Sequence, residues 1–218
     1  MSPLLIDRLL TGAWETFVMI GVSSLITLLL VIPLALILVA TARDGIFAAR
    51  WANSVLGSVV NVVRSIPFLI LMVAMIPITR LLVGTSYGVW AAIVPLSAAA
   101  VPFFARIAEV SLREVDRSLI EAAQAMGCKR WHIIWHVLLP EARPGIVAGF
   151  TITLVSMINA SAVAGASGAG GLGDLAYRYG YQRFDTDVML TVIVLLVALV
   201  TVIQFGGDRL ALRLNKRS

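Results

Sequence analysis

Five stretches of the chain, residues 16–42, 65–79, 81–105, 144–173 and 188–207, contain no Asp, Glu, Lys or Arg. A helix crosses the hydrocarbon layer of a membrane in about 20 residues. Backbone groups in that layer find no water to bond, so runs of this kind confine a chain to helices. The run 65–79 is short, so its helix begins near Val55 and carries Arg64 inside the apolar zone or at its edge. With 60% of its 218 residues hydrophobic and 13% charged, the chain is too apolar for an ordinary soluble domain. The sequence predicts an all-α polytopic membrane protein: five transmembrane helices in one transmembrane domain over residues 1–218.

The first run ends on Ala40-Thr41-Ala42, which has the small residues of a cleavage site. It is too long for a signal peptide, and Asp7 beside Arg8 gives no positive bias before it, so a retained helix is expected. Cytoplasmic loops keep Lys and Arg. Thirteen of the 17 basic residues fall after helix one, between helices three and four, and in the tail; Arg8, Arg80, Arg178 and Arg183 fall on the other side. The N-terminus is therefore expected outside and the C-terminus in the cytoplasm. The net charge of +5 reads as topology and contact with anionic lipid rather than with nucleic acid. The single cysteine, Cys128, lies in a cytoplasmic loop and is expected to be a free thiol.

The longest polar segment spans residues 106–143. Within it Ser118-Leu-Ile-Glu121 has the pattern of a capping box, and Gly127 suits the left-handed end of a helix. The helix between them has about two turns. Leu119, Ala122, Ala123 and Met126 follow one another at i, i+3, i+4 and i+7, one apolar face with a flat centre. So short a helix is marginal by itself. Its face has two uses, packing on its own loop or seating in a groove of another protein. His132 and His136 are four apart, as metal ligands on a helix can be, but no glutamate follows the first and no third ligand is near, so no metal is expected. Trp131 and Trp135 suit a membrane interface.

In the fourth run Ser156, Asn159, Val163 and Ser167 make a mildly polar stripe, with Ala160 and other small residues beside it. The stripe is a candidate substrate path; the alternative for its serines is helix packing with hydroxyls bonded back to their own helix. A buried Asn159 amide needs partners. Arg64, close to Pro67, either reaches back to the cytoplasmic interface or faces a dimer centre as part of a gate. Gly168, Gly170 and Gly173, with Gly171 between them, have the G-x-G-x-x-G spacing of a dinucleotide turn. A dinucleotide turn follows a strand, whereas these follow a membrane run on the outer side. They are expected to break helix four at its outer end, inside protein or beside water. No nucleophile, base or metal cluster lies at depth for an intramembrane enzyme. A secondary transporter is disfavoured because neither a coupling carboxylate nor an inverted repeat is visible, and Glu15 and Glu109 read as interfacial groups.

Glu121-Ala122-Ala123, Gly127 and Val137-Leu138-Leu139-Pro140 closely resemble the EAA motif of bacterial ABC-importer permeases, with Val137 in place of the usual Ile. Together with "RSIPF", "MIPITRLLVGTSYG", "GAGGLG", "YRYGY" and "IQFGGDR", they make the chain similar to methionine-importer permeases from about Trp14 to Arg209. The resemblance implies a five-helix type I ABC importer permease fold in the bacterial inner membrane. It also implies a homodimer that works with two ATPase subunits and an extracytoplasmic substrate-binding lipoprotein, importing D- and L-methionine. ATP and Mg would be bound by the ATPase partner, with no cofactor in this chain. Residues 106–143 become the coupling loop. Glu121, Ala122, Ala123 and Gly127, on the helix that also carries Ser118, Leu119 and Met126, become the ATPase contact, and Leu139 and Pro140 anchor the route into helix four. The glycines lie at the outer mouth. Where relatives have a stretch like Gly-Tyr-Ser-Ala-Met, this chain has Asn159-Ala160-Ser161-Ala162-Val163, which leaves another small amino acid or a methionine derivative as the alternative substrate.

Overall fold

The computed structural model describes residues 3–42 and 47–215. Arg43, Lys216 and Arg217, counted above among the cytoplasmic basic residues, lie outside the described residues. Among the latter, the regular elements are all helical. In chain order they are α1 (Pro3–Ala40), α2 (Arg50–Ser65), α3 (Phe68–Ala74), α4 (Ile76–Val83), α5 (Val89–Arg113) and α6 (Arg117–Ala125), then α7 (Arg130–Ile133), α8 (Leu139–Ala164), α9 (Gly171–Leu175) and α10 (Thr186–Leu214). Wider π-helical turns cover Ile134–Leu138, Gly165–Ala169 and Ala176–Tyr181. Four helical stretches among the described residues are long and apolar enough to cross a membrane. A fifth crossing exists if α2 and α3, bent by 105°, count as one span.

That bend corrects the second predicted helix, which was expected to run unbroken from near Val55 to Thr79. Pro67 carries no amide donor, and its ring forces the preceding residue out of the helical region. Ile66 accordingly sits at φ −80°, ψ 122°, and Pro67 at φ −55°, ψ 138°. The third helix also differs from the uncharged run 81–105. α4 ends on Gly84, at φ +81°, and α5 starts only at Val89. At its other end α5 continues past Arg106 to Arg113, because the charges there satisfy one another. Glu109, 2% exposed, accepts from Arg106 at 2.7 Å and pairs with Arg113 at 2.6 Å, on successive turns of one helix. Glu109 is thus a buried, doubly paired carboxylate rather than an interfacial one.

α1 packs along α5, and α8 lies between α5 and α10. The cytoplasmic end is closed by Val31 and Ala35 of α1, Phe104 and Ala108 of α5, and Leu138 and Ala142 at the start of α8. The outer end has its own cluster, in which Leu9 meets Leu172, Leu175, Val188 and Val192. Between helices the packing rests on small residues, as expected where lipid offers no hydrophobic driving force. Gly173 lies against the carbonyl and Cα of Ala162, and Gly207 lies against Thr151.

An added methyl at Gly173 meets backbone 2.5 Å away, which cannot rotate aside, whereas at Gly206 it meets nothing within 4 Å. Overpacking of this kind costs about 1–3 kcal/mol. Gly173→Ala should therefore lower the melting temperature of the detergent-solubilised protein, and Gly206→Ala should leave it within error. Equal melting temperatures for the two variants would refute this account of the α8–α9 contact.

Candidate functional site

The cytoplasmic segment is built around α6. Its first turn is capped by Asp116, whose carboxylate accepts from the Ser118 N–H at 2.9 Å. Ser118 is therefore not the cap, and the Ser118–Glu121 box read from the sequence does not form. The helix starts earlier because an aspartate both accepts from a free amide and places negative charge at the positive helix end. Both Ser118 and Glu121 are exposed. The other end agrees with the sequence. Gly127 adopts φ +76°, its N–H donates to Gln124 O at 2.9 Å, and the Cys128 N–H donates to Ala123 O at 3.1 Å. This is the glycine-closed helix end with paired returning hydrogen bonds.

The apolar face of α6 divides in two. Ala123 is 3% exposed and turns inward with Ile120, which packs on the cytoplasmic core. Leu119 is 42% exposed, Met126 is 77% exposed, and Ala122 is open as well. Counting i, i+3, i+4 and i+7 put all four on one arc, but anchoring by Ile120 rotates Ala123 to the protein side. The helix thus packs on its own chain and also offers a face outward. From Gly127 the chain passes through α7 and the turn Ile134–Leu138 into α8, with Leu139 against the cytoplasmic core and Pro140 in the first turn. The His132 and His136 rings stack at 5.5 Å, and among the described residues no group of three potential ligands surrounds them. A cleft of about 470 Å³ beside α6 is bounded by Leu119, His136, Val137, Pro140, Glu141 and Asn215.

At the outer end the glycines break the helix, as expected. Gly168, Gly170 and Gly171 have φ of +97°, +87° and +78°, so the chain turns back and α9 lies beside α8. The freed amides do not wait for a phosphate. Glu15 Oε2 accepts from the Gly171 N–H at 2.6 Å, Thr16 Oγ1 accepts from the Leu172 N–H at 2.9 Å, and the Gly88 N–H donates to Gly168 O at 3.1 Å. A side chain at Gly170 would run into the Glu15 carboxylate. Glu15 and Thr16 are the residues that the sequence reading missed. Their partners are 156 positions away, and only the run of glycines signals that something must approach the backbone there.

Ser156, Asn159, Val163 and Ser167 form one exposed face on α8 and its extension, with Ala160 half-buried. Ser167 donates to Val163 O at 3.1 Å, and among the described residues the Asn159 amide has no side-chain partner. The stripe meets two cavities. Ser156 and Ala160 line one of about 140 Å³ together with Arg64. Ser167 lines another of about 230 Å³, toward Thr79 and Tyr87. Arg64, read in the sequence apart from the stripe, therefore shares a single cavity with Ser156 and Ala160. Pro67 makes the bend beside it without lining it.

The model of the family of binding-protein-dependent transport system inner membrane components matches residues 42–217. The chain is 49% identical over 211 residues to the "Probable D-methionine transport system permease protein MetI" of Vibrio cholerae, covering 97% of this chain and 94% of that one. It is 43% identical over 181 residues to the methionine import system permease protein MetP of Bacillus subtilis, covering 83% and 82%. Among solved structures, a chain of the inward-facing MetNI methionine ABC transporter aligns with a TM-score of 0.97 and 46% identity, over 99% of this chain and all of that one.

Glu15→Ala leaves the Gly171 amide without its acceptor, at a cost of about 1–3 kcal/mol. Glu15→Gln keeps an acceptor oxygen and should cost less. Thermal unfolding in detergent should rank the variants wild type, Gln, then Ala; an Ala variant as stable as wild type would show that the carboxylate does not hold α9.

Proposed function

The chain belongs to the family of binding-protein-dependent transport system inner membrane components, and from that premise we propose that it is the permease subunit of an ATP-driven ABC importer for D- and L-methionine. The reading is carried by its likeness, over nearly the whole chain, to permeases named for methionine. It is a transport subunit of the bacterial inner membrane and not an enzyme. Two copies form the translocation path, two ATPase subunits bind ATP and Mg, and an extracytoplasmic lipoprotein delivers the substrate.

Coupling runs through α6. Leu119, Ala122 and Met126, flanked by Ser118 and Glu121, form the outward contact for the ATPase, a short apolar peg of the kind that seats in a groove. Ala123 and Ile120 are its inward half. They hand movement of the peg to the core formed by α1, α5 and the start of α8, which Leu139 and Pro140 join. Gly127 keeps the return turn tight, since its left-handed backbone disfavours any side chain. The homodimer is supported by the open stripe on α8, because an unpartnered Asn159 amide facing lipid is costly and a second copy or a wet path removes that cost. The glycines at 168, 170, 171 and 173 flank the outer mouth.

The test is uptake of labelled methionine into proteoliposomes holding the permease with its ATPase and binding protein. Leu119→Asp with Met126→Asp should cut coupled uptake about tenfold or more while insertion and yield of the permease stay unchanged. Unlabelled D- and L-methionine should compete better than a panel of other small amino acids. Undiminished uptake in the double variant would overturn the coupling assignment, and better competition by another amino acid would overturn the substrate.

A further inference from the structure

The cavity shared by Arg64 and Ser156 joins the middles of three elements. Its walls are Leu96 to Phe103 from the centre of α5, Thr153 to Ala160 from the centre of the fourth apolar run, and the bend between α2 and α3. Arg64, exposed in the single chain, therefore lines a cavity walled by the apolar stretches of two spans. Among the described residues no carboxylate pairs with it and no hydrogen bond holds its guanidinium. Among the described residues the negative end of α2, whose last turn it occupies, is its compensation, and a modest one. A cation set against such apolar walls calls for an anion or water.

We propose that Arg64 is a substrate-binding residue of the translocation path, receiving the α-carboxylate of an amino acid while Leu71, Leu96, Phe103 and Met157 receive an apolar side chain. The inference rests on the proposed importer function and adds to it a transmembrane site with a stated ligand chemistry. The cavity fits this ligand by having one guanidinium, the Ser156 hydroxyl and the Thr153 hydroxyl, which is bonded to Gly149 O of its own helix, with otherwise apolar walls. A guanidinium recognises a carboxylate through charge-assisted, frequently paired hydrogen bonds. Water-filled passage alone would not need the charge, and an alkyl or thioether chain gains from the apolar walls. Binding stays weak enough to release the substrate, because a single charged contact is offered and the cavity is open on the side of the exposed stripe.

The site can be probed directly in the assembled transporter with Cys128→Ser and Ser156→Cys, so that the permease's only thiol sits beside Arg64. The ratio of labelling rates for an anionic and a cationic methanethiosulfonate should fall about tenfold on Arg64→Gln and recover in Arg64→Lys. L-methionine should slow labelling, and methionine amide, which has no carboxylate, should not. In the background with native Ser156, Arg64→Gln should cut coupled uptake about tenfold, with Arg64→Lys intermediate. A labelling ratio blind to Arg64, or protection by the amide equal to that by methionine, overturns the proposal. Methionine uptake without methionine protection overturns it too, while leaving the importer reading intact. If another amino acid is both transported and protective, the carboxylate site stands and the methionine assignment falls.

Discussion

Backbone hydrogen bonding in a medium without water governs this structure. A continuous helix meets that demand by itself, so the informative places are those where a helix stops inside the apolar layer. Two of these among the described residues are Ile66–Pro67 and Gly165–Gly170. At the glycine break the missing partners come from α1, through the Glu15 carboxylate and the Thr16 hydroxyl, and from the Gly88 amide. At the proline break the chain leaves a cavity rather than a filled contact. The breaks and the cavities therefore have a common origin, since helices that stop short leave room that straight helices would fill.

The two ends of the molecule are built differently, and the difference suits a device driven from one side. At the outer end the glycine segment is fixed by hydrogen bonds to α1 and by backbone-to-backbone contact at Gly173 and Ala162. Movement there requires several bonds to break together. At the cytoplasmic end α6 is attached through two inward side chains, Ile120 and Ala123, and a glycine turn, with the remainder of its surface open. In the proposed importer a push on α6 would reach α1, α5 and α8 together, because Val31, Phe104, Ala108 and Ala142 form one contiguous cluster there. Close-packed interiors transmit displacement rather than absorb it.

The sequence made the long helices legible through charge alone, and the EAA spacing located α6 and its closing glycine. Charge runs failed wherever charges cancel. Arg106 looked like the end of a helix, yet Glu109 lets α5 pass through it to Arg113. Hydropathy is likewise blind to Pro67, which bends the second span without altering its apolar character. At α6 the period was right and the phase was wrong by one residue class, because phase depends on what Ile120 touches and no periodicity encodes that. The pairing of Glu15 with Gly171 was out of reach altogether. Contacts between sites so far apart in sequence leave only a one-sided trace, here three glycines in conformations that tolerate a close approach.

The ionisable groups that intrude on the apolar layer can be sorted by what satisfies them. Glu109 is held between two arginines of its own helix, a solution that costs little because all three lie on successive turns. Glu15 is held by amides that a broken helix leaves free, so each defect relieves the other. Arg64 has neither arrangement. Its neighbours across the cavity are a serine, a threonine and apolar side chains, and it stands where the second span bends and the polar stripe of α8 begins. A fold that neutralises the Glu109 and Glu15 carboxylates within the chain, yet leaves a cation facing an open cavity, keeps that cation available for something that arrives and departs. For a transported zwitterion of moderate size, the carboxylate is the group that can use it.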